Sequence, residues 1–324
     1  MRKLLAPAAS LYGLAVQVRA AAYSRGLLRV RQLHRPVVGV GNLTVGGSGK
    51  TPLVAAITRL LVRRGFKPGI LTRGYGRQGG QRLIALPPRA NRDPDPRTTG
   101  DEPALLARAL PAVPMVICAD RYEGGRFAEE EFGVNVHVLD DGFQHLALRR
   151  DVDIVALDVT QPLFADAMLP AGRLREPLSG LGRAHLVVLT RVDGEDTRDI
   201  ETRLRGVNPG LQVFQSRTAL QGWLDAASGA ALAAEAGHGR QAYAFCGIGN
   251  PQAFIKDLSR WGLNVIATQK FPDHHVYSDR ELTKLSRVAR QSGAGALVTT
   301  EKDLMNLPRG WRLDIPVFSS PTRK

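Results

Sequence analysis

The stretch from Pro36 to Pro52, PVVGVGNLTVGGSGKTP, constrains the fold of this 324-residue chain more than any other. It begins as a valine-rich apolar run, which is typical of a buried parallel strand. The chain then passes through three glycines into Lys50 and Thr51, and an amphipathic helix follows with its arginines turned away from the apolar face. Strand, glycine loop, Lys-Thr and helix is the order of a phosphate-binding loop, so the sequence predicts nucleotide binding.

The residue types in this loop suit the chemistry of phosphate. Phosphate oxygens need backbone N–H groups close by, and glycines let the main chain approach because they carry no Cβ. The positive N-terminal end of the next helix adds to the attraction. We expect Lys50 to reach the β- and γ-phosphates and the Thr51 hydroxyl to bind Mg²⁺. The predicted nucleotide-binding residues are Thr44, Val45, Gly46, Gly47, Ser48, Gly49, Lys50 and Thr51.

Thr44 departs from the usual loop pattern, which has glycine five residues before the glycine of Gly-Lys-Thr. The alternative interpretation is an ordinary glycine-rich turn between a strand and a helix. Nucleotide binding is the stronger hypothesis, because the strand, the glycines, the Lys-Thr pair and the amphipathic helix all agree.

A second apolar run, residues 134–139, ends in Asp140 and Asp141. Carboxylates at the C-terminal end of a parallel strand lie in the crevice where α/β sheets bind ligands, and there they reach Mg²⁺. The sequence leaves open which of the two contacts the ion directly. A pair of capping acids is the alternative, and the phosphate-binding loop upstream disfavours it.

Three further segments supply candidate residues. Asp101 opens a helical pattern, so it is either a helix cap or a base that faces the nucleotide. The loop 73–77 has two arginines and a tyrosine between glycines, which suits either a phosphate or sugar site or a surface turn. The Asp273-His274-His275 run is either a proton relay or metal group, or a capped turn with exposed histidines.

A fourth segment, Thr190-Arg191-Val192-Asp193, follows an apolar strand. It faintly echoes the guanine-reading motif Asn-Lys-x-Asp but lacks its Asn and Lys. We therefore do not expect guanine specificity.

Charge is distributed unevenly along the chain. The net charge is +14, yet residues 1–92 hold 17 Lys and Arg and no acid, while the remaining 27 basic and 30 acidic residues give −3. Such a positive segment seeks an anionic surface: phospholipid, nucleic acid or a phosphorylated substrate. A general preference for arginine is the alternative, and it does not explain the absence of acids.

The first 35 residues contain an uncharged stretch from Leu4 to Val18. It is shorter than the roughly 20 apolar residues of a spanning helix. Leu4, Leu11 and Val18, with the alanines at 8, 15 and 22, form a stripe at helical spacing flanked by arginines. This pattern favours a basic amphipathic helix in a membrane interface over a helix packed on the protein. Arg19 before the alanines argues against a signal peptide.

The predicted fold is α/β: a mostly parallel sheet of the P-loop type with helices on both faces, a smaller C-terminal α/β lobe and the N-terminal amphipathic helix. The expected domains are 1–35 for the interface helix, 36–217 for the P-loop core and 218–324 for the lobe. Cys118 and Cys246 lie in apolar runs, which predicts two buried thiols in a reducing cytosol.

Together these segments resemble the tetraacyldisaccharide 4′-kinases of lipid A synthesis over nearly the whole chain. The most specific motifs are GNLTVGGSGKTP (41–52), LTRGYGR (71–77), GDEP (100–103), LDDGFQH (139–145), LPAGRLREP (169–177), FPDHH (271–275) and TEKD (300–303). Thr44 fits the loop of this family.

The resemblance implies an enzyme that transfers the γ-phosphate of ATP, with Mg²⁺, to the 4′-hydroxyl of tetraacyldisaccharide 1-phosphate and forms lipid IVA. It implies anchoring of the N-terminal helix at the cytoplasmic face of the bacterial inner membrane. The expected partners are this membrane glycolipid and an anionic phospholipid surface. We expect a monomer and no nucleic acid.

The resemblance also implies residue roles. Asp101 accepts the proton of the sugar hydroxyl with His274 paired to it, although the neighbouring His275 keeps that choice open. Lys50 holds the phosphates, and Thr51, Asp140 and Asp141 form the metal site. The implied substrate contacts are Asn42, Arg73, Tyr75, His145, Arg173, Arg175 and Glu176.

Two other classes remain as alternatives. A P-loop NTPase switch or metallochaperone would couple hydrolysis to partner binding, which the N-terminal helix and the lack of a proper guanine motif disfavour. A nucleic-acid-dependent ATPase would explain the charge, but the sequence holds no recognition motif for it.

Overall fold

The computed structural model describes residues 2–75, 77–78, 80–89, 94–320 and 322–323. It divides into two compact units, Met1–Arg217 and Thr218–Lys324. Gly76 of the predicted loop 73–77 lies outside the described residues.

The first unit contains one large sheet and its flanking helices. Its strands are β1 (Val37–Gly41), β2 (Pro68–Thr72), β3 (Leu83–Leu86), β4 (Met115–Cys118), β5 (Val136–Asp140), β6 (Val152–Asp158), β7 (Leu186–Thr190) and β8 (Gln212–Ser216). Its α-helices are α1 (Arg2–Ser24), α2 (Lys50–Arg63), α3 (Pro96–Thr99), α4 (Asp101–Ala109), α5 (Arg121–Phe132) and α6 (Arg198–Val207), with 3₁₀ turns at Leu163–Ala165 and Leu178–Arg183.

The strand order is β3-β4-β2-β5-β1-β6-β7-β8. All neighbours run parallel except β3, which pairs antiparallel to β4 at one edge. β1 is central, and the chain builds outward from it first on the β5 side and later on the β6 side. Because parallel strands share a direction, the chain segments that leave β1, β2, β4, β5, β6 and β7 meet at one edge, where α/β sheets bind ligands.

Apolar side chains cover both faces of this sheet. One cluster joins Val54 of α2 and Leu106 of α4 to Ile70 and Val138 of the central strands. Another surrounds the completely buried Phe143. These clusters fix the strands from both sides, so the loops at the carboxyl edge are carried on a rigid base.

Helix α1 packs on the first unit through one narrow face. Ala9 and Gly13 are buried, and the Tyr12 hydroxyl donates a hydrogen bond to the Arg175 carbonyl at 3.0 Å. The predicted apolar stripe faces the other way: Leu4 is 83% exposed and Leu11 is 70% exposed.

The second unit has its own six-stranded sheet of order β11-β10-β15-β14-β12-β13. Its strands are β9 (Ala219–Leu220), β10 (Trp223–Asp225), β11 (Ala231–Leu232), β12 (Gln241–Cys246), β13 (Asn264–Lys270), β14 (Ala296–Thr299), β15 (Val317–Ser319) and β16 (Thr322–Arg323), of which β9 and β16 form a separate pair. Its helices are α7 (Pro251–Arg260), α8 (Asp279–Gln291) and α9 (Glu301–Leu304), with a 3₁₀ turn at Ala234–Gly237.

The predicted α/β fold with a mostly parallel sheet is confirmed, and both cysteines are buried and free. Residues 218–240, at the start of the second unit, contain the short strands β9, β10 and β11, and β10 pairs with β15 inside the sheet. Composition hid these strands, since each is only two or three residues long.

Candidate active site

The glycine loop between β1 and α2 has the backbone that its glycines predict. Gly46 and Gly49 have φ angles of 102° and 75°, which L side chains rarely adopt. The loop is braced by the later segment 173–175: the Val45 N–H donates to the Arg173 carbonyl at 2.8 Å, and the Arg175 N–H donates to the Leu43 carbonyl at 2.7 Å. The LPAGRLREP segment therefore lies directly against the phosphate-binding loop.

Lys50, the first residue of α2, lies at the centre of a polar cluster. Its ammonium contacts Asp141 Oδ1 at 2.9 Å and Asn42 Oδ1 at 3.0 Å. The Arg175 guanidinium contacts the same Asp141 oxygen at 2.7 Å. Asn42 is completely buried and also donates to the Thr44 carbonyl at 2.6 Å. β1, α2, β5 and the 169–177 segment thus bring one lysine, one arginine and one carboxylate together.

The two neighbouring aspartates have opposite electrostatic surroundings. Burial, aided by the charges of Glu102 and Asp141, raises the pKa of Asp140 to about 7. Burial would also raise the pKa of Asp141, but the charges of Lys50 and Arg175 outweigh it and hold that pKa below its ordinary value. Asp141 therefore stays ionised near pH 7, whereas burial disfavours the ionised form of Asp140.

Asp140 also has an open ligand position. Its Oδ2 accepts from the Thr72 hydroxyl at 3.2 Å, while its buried Oδ1 has no hydrogen-bond partner among the described residues. A buried carboxylate oxygen without a partner is costly unless a ligand satisfies it. No cluster of three or more His, Cys, Asp or Glu side chains suited to a metal occurs in the described part of the chain. One or two carboxylates plus phosphate oxygens is a normal Mg²⁺ environment, so Asp140 fits this ion.

Asp101 is the first residue of α4 and is buried. The cap position belongs to Gly100, at φ 93°, and the Asp101 carboxylate accepts from the Glu102 N–H at 2.9 Å. A Cβ on Gly100 would lie 2.9 Å from the Tyr75 carbonyl. The loop 73–75 therefore packs directly on the start of α4, and the Tyr75 side chain is 74% exposed beside it.

Glu176 is buried and engaged inside the protein. It pairs with Arg183 at 2.7 Å and accepts from the Gln144 amide, which also donates to the Asn42 carbonyl at 2.8 Å. Arg183 lies over the Phe143 ring at 3.8 Å. This network ties the DDGFQH segment to the LPAGRLREP segment.

His145 lies in a strongly cationic part of the site. Burial, together with the charges of Arg121 and Arg150, lowers the pKa of His145 to about 4, so the ring is neutral near pH 7. Burial lowers the pKa of Arg121 as well, with Arg73 adding to the shift, while Asp140 and Asp141 oppose it. Arg121 is the first residue of α5, and its guanidinium donates to the Ala119 carbonyl at 2.9 Å.

The structure thus brings together five of the first-unit residues that the sequence singled out. Asn42, Lys50, Asp140, Asp141 and Arg175 form one electrostatic cluster, with Glu102 close enough to act on Asp140. Arg173 is turned to Asp166, 2.8 Å away. Sequence reasoning missed Glu102, Arg121, Gln144 and Arg183. Arg121 lies three residues after the end of β4, so the convergence of parallel strand ends was the signal that could have found it.

The histidine pair lies in the second unit and its two members differ. His275 contacts Glu281 at 3.1 Å and stacks on Phe271 with ring centroids 4.6 Å apart. His274 has a left-handed backbone, φ 61°, and its Nε2 lies 3.3 Å from the Lys302 ammonium. Both histidines contact residues of their own unit, and the His274 side chain is 36% exposed against 22% for His275.

Helix α1 includes a stretch, Leu4–Ser24, that is long and apolar enough to cross a membrane by length and composition, and only 11% of that window is buried. Length and composition alone therefore do not exclude a membrane-spanning helix here, although the charge-free stretch 4–18 is too short for one. The estimate from the charge-free residues 4–18 ended before Arg19, but a helix window tolerates one such residue.

A phosphate-binding loop, a lysine at its end and a carboxylate pair on the neighbouring strand are the parts of a P-loop nucleotide-binding protein. The particular family follows from comparison with known proteins. The chain belongs to the tetraacyldisaccharide-1-P 4′-kinase family, LpxK, which matches residues 1–319.

Relatives and a solved structure agree with this membership. The tetraacyldisaccharide 4′-kinase of Geobacter metallireducens is 41% identical over 313 residues, which cover 94% of this chain and 88% of that protein. The enzyme of the same name from Koribacter versatilis is 41% identical over 309 residues, 93% of this chain and 88% of that protein. The crystal structure of an "apo" form of LpxK from Aquifex aeolicus in complex with ATP is similar with a TM-score of 0.76 at 33% identity, covering 99% of this chain and 94% of that one.

Proposed function

We infer that this chain transfers the γ-phosphate of ATP to the 4′-hydroxyl of tetraacyldisaccharide 1-phosphate in lipid A biosynthesis. The observation that carries this inference is the meeting of Lys50 with Asp141 and Arg175 beside the unsatisfied Asp140, in a chain of the LpxK family. Phosphoryl transfer has a loose transition state, so positioned charge supplies most of the catalysis. This cluster supplies such charge.

The nucleotide site uses the loop 44–51. Its backbone N–H groups and Lys50 bind the phosphates, and Asn42 with Asp141 holds the Lys50 ammonium in place. We assign Mg²⁺ to Asp140 and Thr51, because Asp140 has the open oxygen while Asp141 is already paired with two cations. When bound, the ion neutralises charge on the transferred phosphate.

Asp101 is the residue that we assign to accept the acceptor's proton. It is buried at the start of α4, next to Glu102 and under the Tyr75 loop. A sugar hydroxyl loses its proton late in a loose transition state, so an acceptor within hydrogen-bond reach suffices. We assign His274 rather than His275 to this reaction, because its side chain is the more exposed of the two, 36% against 22%, while His275 stacks on Phe271.

We assign the polar contacts to the sugar to the exposed and partly exposed side chains near the Lys50–Asp141–Arg175 cluster. Arg73 and Tyr75 are exposed, and Arg173 and His145 are partly exposed. Asn42 and Glu176 are buried in internal hydrogen bonds. We therefore propose that these two orient Lys50, Arg175 and Gln144 instead of binding the substrate themselves.

We propose that α1 holds the enzyme on the cytoplasmic face of the bacterial inner membrane. Its exposed face carries Leu4, Leu11, Leu14 and Val18, and exposed arginines at 25, 29 and 35 follow it. Apolar side chains enter the acyl region while arginines attract anionic headgroups. Such contact keeps the site near an acceptor that its acyl chains hold in the bilayer.

The test is transfer of ³²P from γ-labelled ATP to detergent-solubilised tetraacyldisaccharide 1-phosphate. We expect wild type to label the lipid, and Asp101→Ala to lower kcat by about 10²- to 10⁴-fold. An unchanged Asp101→Ala variant would remove Asp101 from its role and keep the kinase. ATP hydrolysis without lipid labelling by wild type would reject the kinase and favour an NTPase switch.

A further inference from the structure

Thr190 and Arg191 are polar residues at the end of β7 that the proposed reaction does not use. They belong to the segment Thr190-Arg191-Val192-Asp193, which only faintly echoes a guanine-reading motif. They lie far from the phosphate-binding loop in sequence, but in the sheet only β6 lies between β7 and β1, the strand that leads into that loop. Their side chains consequently reach the back of the phosphate-binding loop.

Both side chains bind carbonyl oxygens of that loop. The Thr190 hydroxyl donates to the Ser48 carbonyl at 3.1 Å, and Arg191 Nη1 donates to the Gly47 carbonyl at 3.0 Å. Arg191 also pairs with Asp158 at the end of β6. Asp158 is itself held by the Thr160 N–H at 3.0 Å.

These contacts determine which way the loop peptides face. In a trans peptide the C=O and the following N–H point in opposite directions. When Thr190 draws the Ser48 carbonyl outward, the Gly49 N–H is directed to the opposite side; Arg191 does the same for the Ser48 N–H through the Gly47 carbonyl. In this structure the Ser48 N–H donates to the Gly46 carbonyl at 3.0 Å, a contact within the loop that a phosphate oxygen can replace.

The side chains that hold the loop carbonyls are themselves held in place. Thr190 is completely buried, and the side chain of Asp158 is 1% exposed. Arg191 has φ 61°, an unusual backbone for a residue with a side chain, and this conformation is kept while its guanidinium spans Asp158 and Gly47. Groups fixed in this way orient a loop without reorganising when a ligand arrives.

We propose that Thr190 and Arg191 are positioning residues that orient the peptides of the phosphate-binding loop for the triphosphate of ATP. They act through loop carbonyls and touch neither substrate. The inference rests on the proposed kinase function, because it concerns the same nucleotide site. It replaces the guanine-reading interpretation of this segment, since both side chains bind the loop backbone.

Thr190→Val tests the proposal, because valine keeps the branched shape and removes the hydroxyl. Thr58→Val is the matched control: Thr58 is equally buried, and its hydroxyl donates to the Val54 carbonyl at 2.7 Å within α2. KM for ATP, KM for the lipid acceptor and the inhibition constant of inorganic triphosphate are measured for each variant. Thr190→Ser, which restores a hydroxyl, and Arg191→Met, which keeps the aliphatic chain and removes the Nη1 that contacts both Gly47 and Asp158, complete the set.

We expect Thr190→Val to raise KM for ATP and the triphosphate inhibition constant by about 3- to 10-fold, the effect of one hydrogen bond. KM for the acceptor stays at the wild-type value, Thr190→Ser restores ATP binding, and Arg191→Met shows the same selective defect. An unchanged KM for ATP, an equal rise for ATP and acceptor, or no rescue by serine overturns the proposal. Failure of wild type to transfer phosphate would instead reject the kinase function.

Discussion

Two buried aspartates, one in each unit, show how differently the two halves of this chain treat a charge. Asp140 at the end of β5 leaves Oδ1 without a partner among the described residues and has a raised pKa. Asp303 in α9 is equally buried, but its Oδ1 accepts from the Gly247 N–H at 2.7 Å and the Tyr277 hydroxyl at 2.8 Å, and its Oδ2 accepts from Thr300.

The difference distinguishes a carboxylate that can bind a ligand from a carboxylate that stabilises the fold. A buried carboxylate with satisfied oxygens stabilises the fold around it, here the corner that carries the FPDHH and TEKD motifs. A buried carboxylate with an open oxygen costs stability until a ligand binds. Asp140 of the first unit thus keeps an unsatisfied carboxylate oxygen near Lys50, whereas Asp303 of the second unit uses both of its oxygens to fix a loop.

The largest effect is expected at the loop itself. Lys50→Ala removes the charge that faces the phosphates and should lower kcat/KM by about 10²- to 10³-fold. Steady-state transfer kinetics measure this, with Lys284→Ala on the exposed side of α8 as the control. Equal activity of the two variants would mean that the cluster around Lys50 is structural, like that of Asp303.

The next largest effect is expected on stability, at the structural aspartate Asp303. Asp303→Ala should lower the free energy of unfolding by about 3 kcal/mol, because Gly247 and Tyr277 lose a charged acceptor. Chemical denaturation measures this, and ATP binding measured by calorimetry should keep its wild-type affinity. A stable Asp303→Ala protein that no longer binds ATP would break the comparison.

The two histidines of the second unit allow the same comparison between a reactive group and a structural group. His274→Ala should lower kcat by about 10²-fold, the low end for proton-transfer groups. His275→Ala should mainly lower the thermal midpoint, because His275 packs on Phe271 and pairs with Glu281. Transfer assays and thermal scans of both variants decide the assignment, and the reverse pattern would move the reactive role to His275.

The smallest effect is a pH-dependent stability difference at Asp140. Its folded pKa of about 7 exceeds its ordinary 3.8, so the folded state binds more protons between these values and stability falls as pH rises through this range. Asp140→Asn carries no charge and should be more stable than wild type by about 1 to 3 kcal/mol at pH 8, with little difference at pH 3.5.

Mg²⁺ supplies the control for this prediction. At pH 8 it should raise the melting temperature of wild type and leave that of Asp140→Asn unchanged. Asp141→Asn should destabilise the protein at pH 8, because Lys50 and Arg175 lose their shared partner. A stabilising Asp141→Asn together with a destabilising Asp140→Asn would exchange the roles assigned to the two aspartates.

The parts of the fold that sequence predicts are those with local signals. Apolar runs marked β1 and β5 at the centre of the first sheet, and the amphipathic pattern after the glycine loop marked α2. β8 was missed because an edge strand with exposed side chains has no apolar run. The strands at 219–232 were missed because each pairs through only two or three residues.

The site divides along the same line. The glycine loop is one short continuous segment, and so is the Asp140-Asp141 pair. The residue types of each predict its chemistry directly. The contacts that hold the loop are not contiguous: Arg175 lies 133 residues from Asn42, and Arg191 lies 144 residues from Gly47. Such pairs depend on strand order, which residue patterns do not encode, so nothing in the sequence connected Arg191 with the phosphate-binding loop.

The most direct test of the kinase assignment is ³²P transfer from γ-labelled ATP to tetraacyldisaccharide 1-phosphate and to its 4′-deoxy analogue, side by side. We predict label on the first lipid and none on the second, because the 4′-hydroxyl is the atom that attacks the γ-phosphate. Equal labelling of both lipids, or ATP hydrolysis with no lipid labelled, would contradict the account.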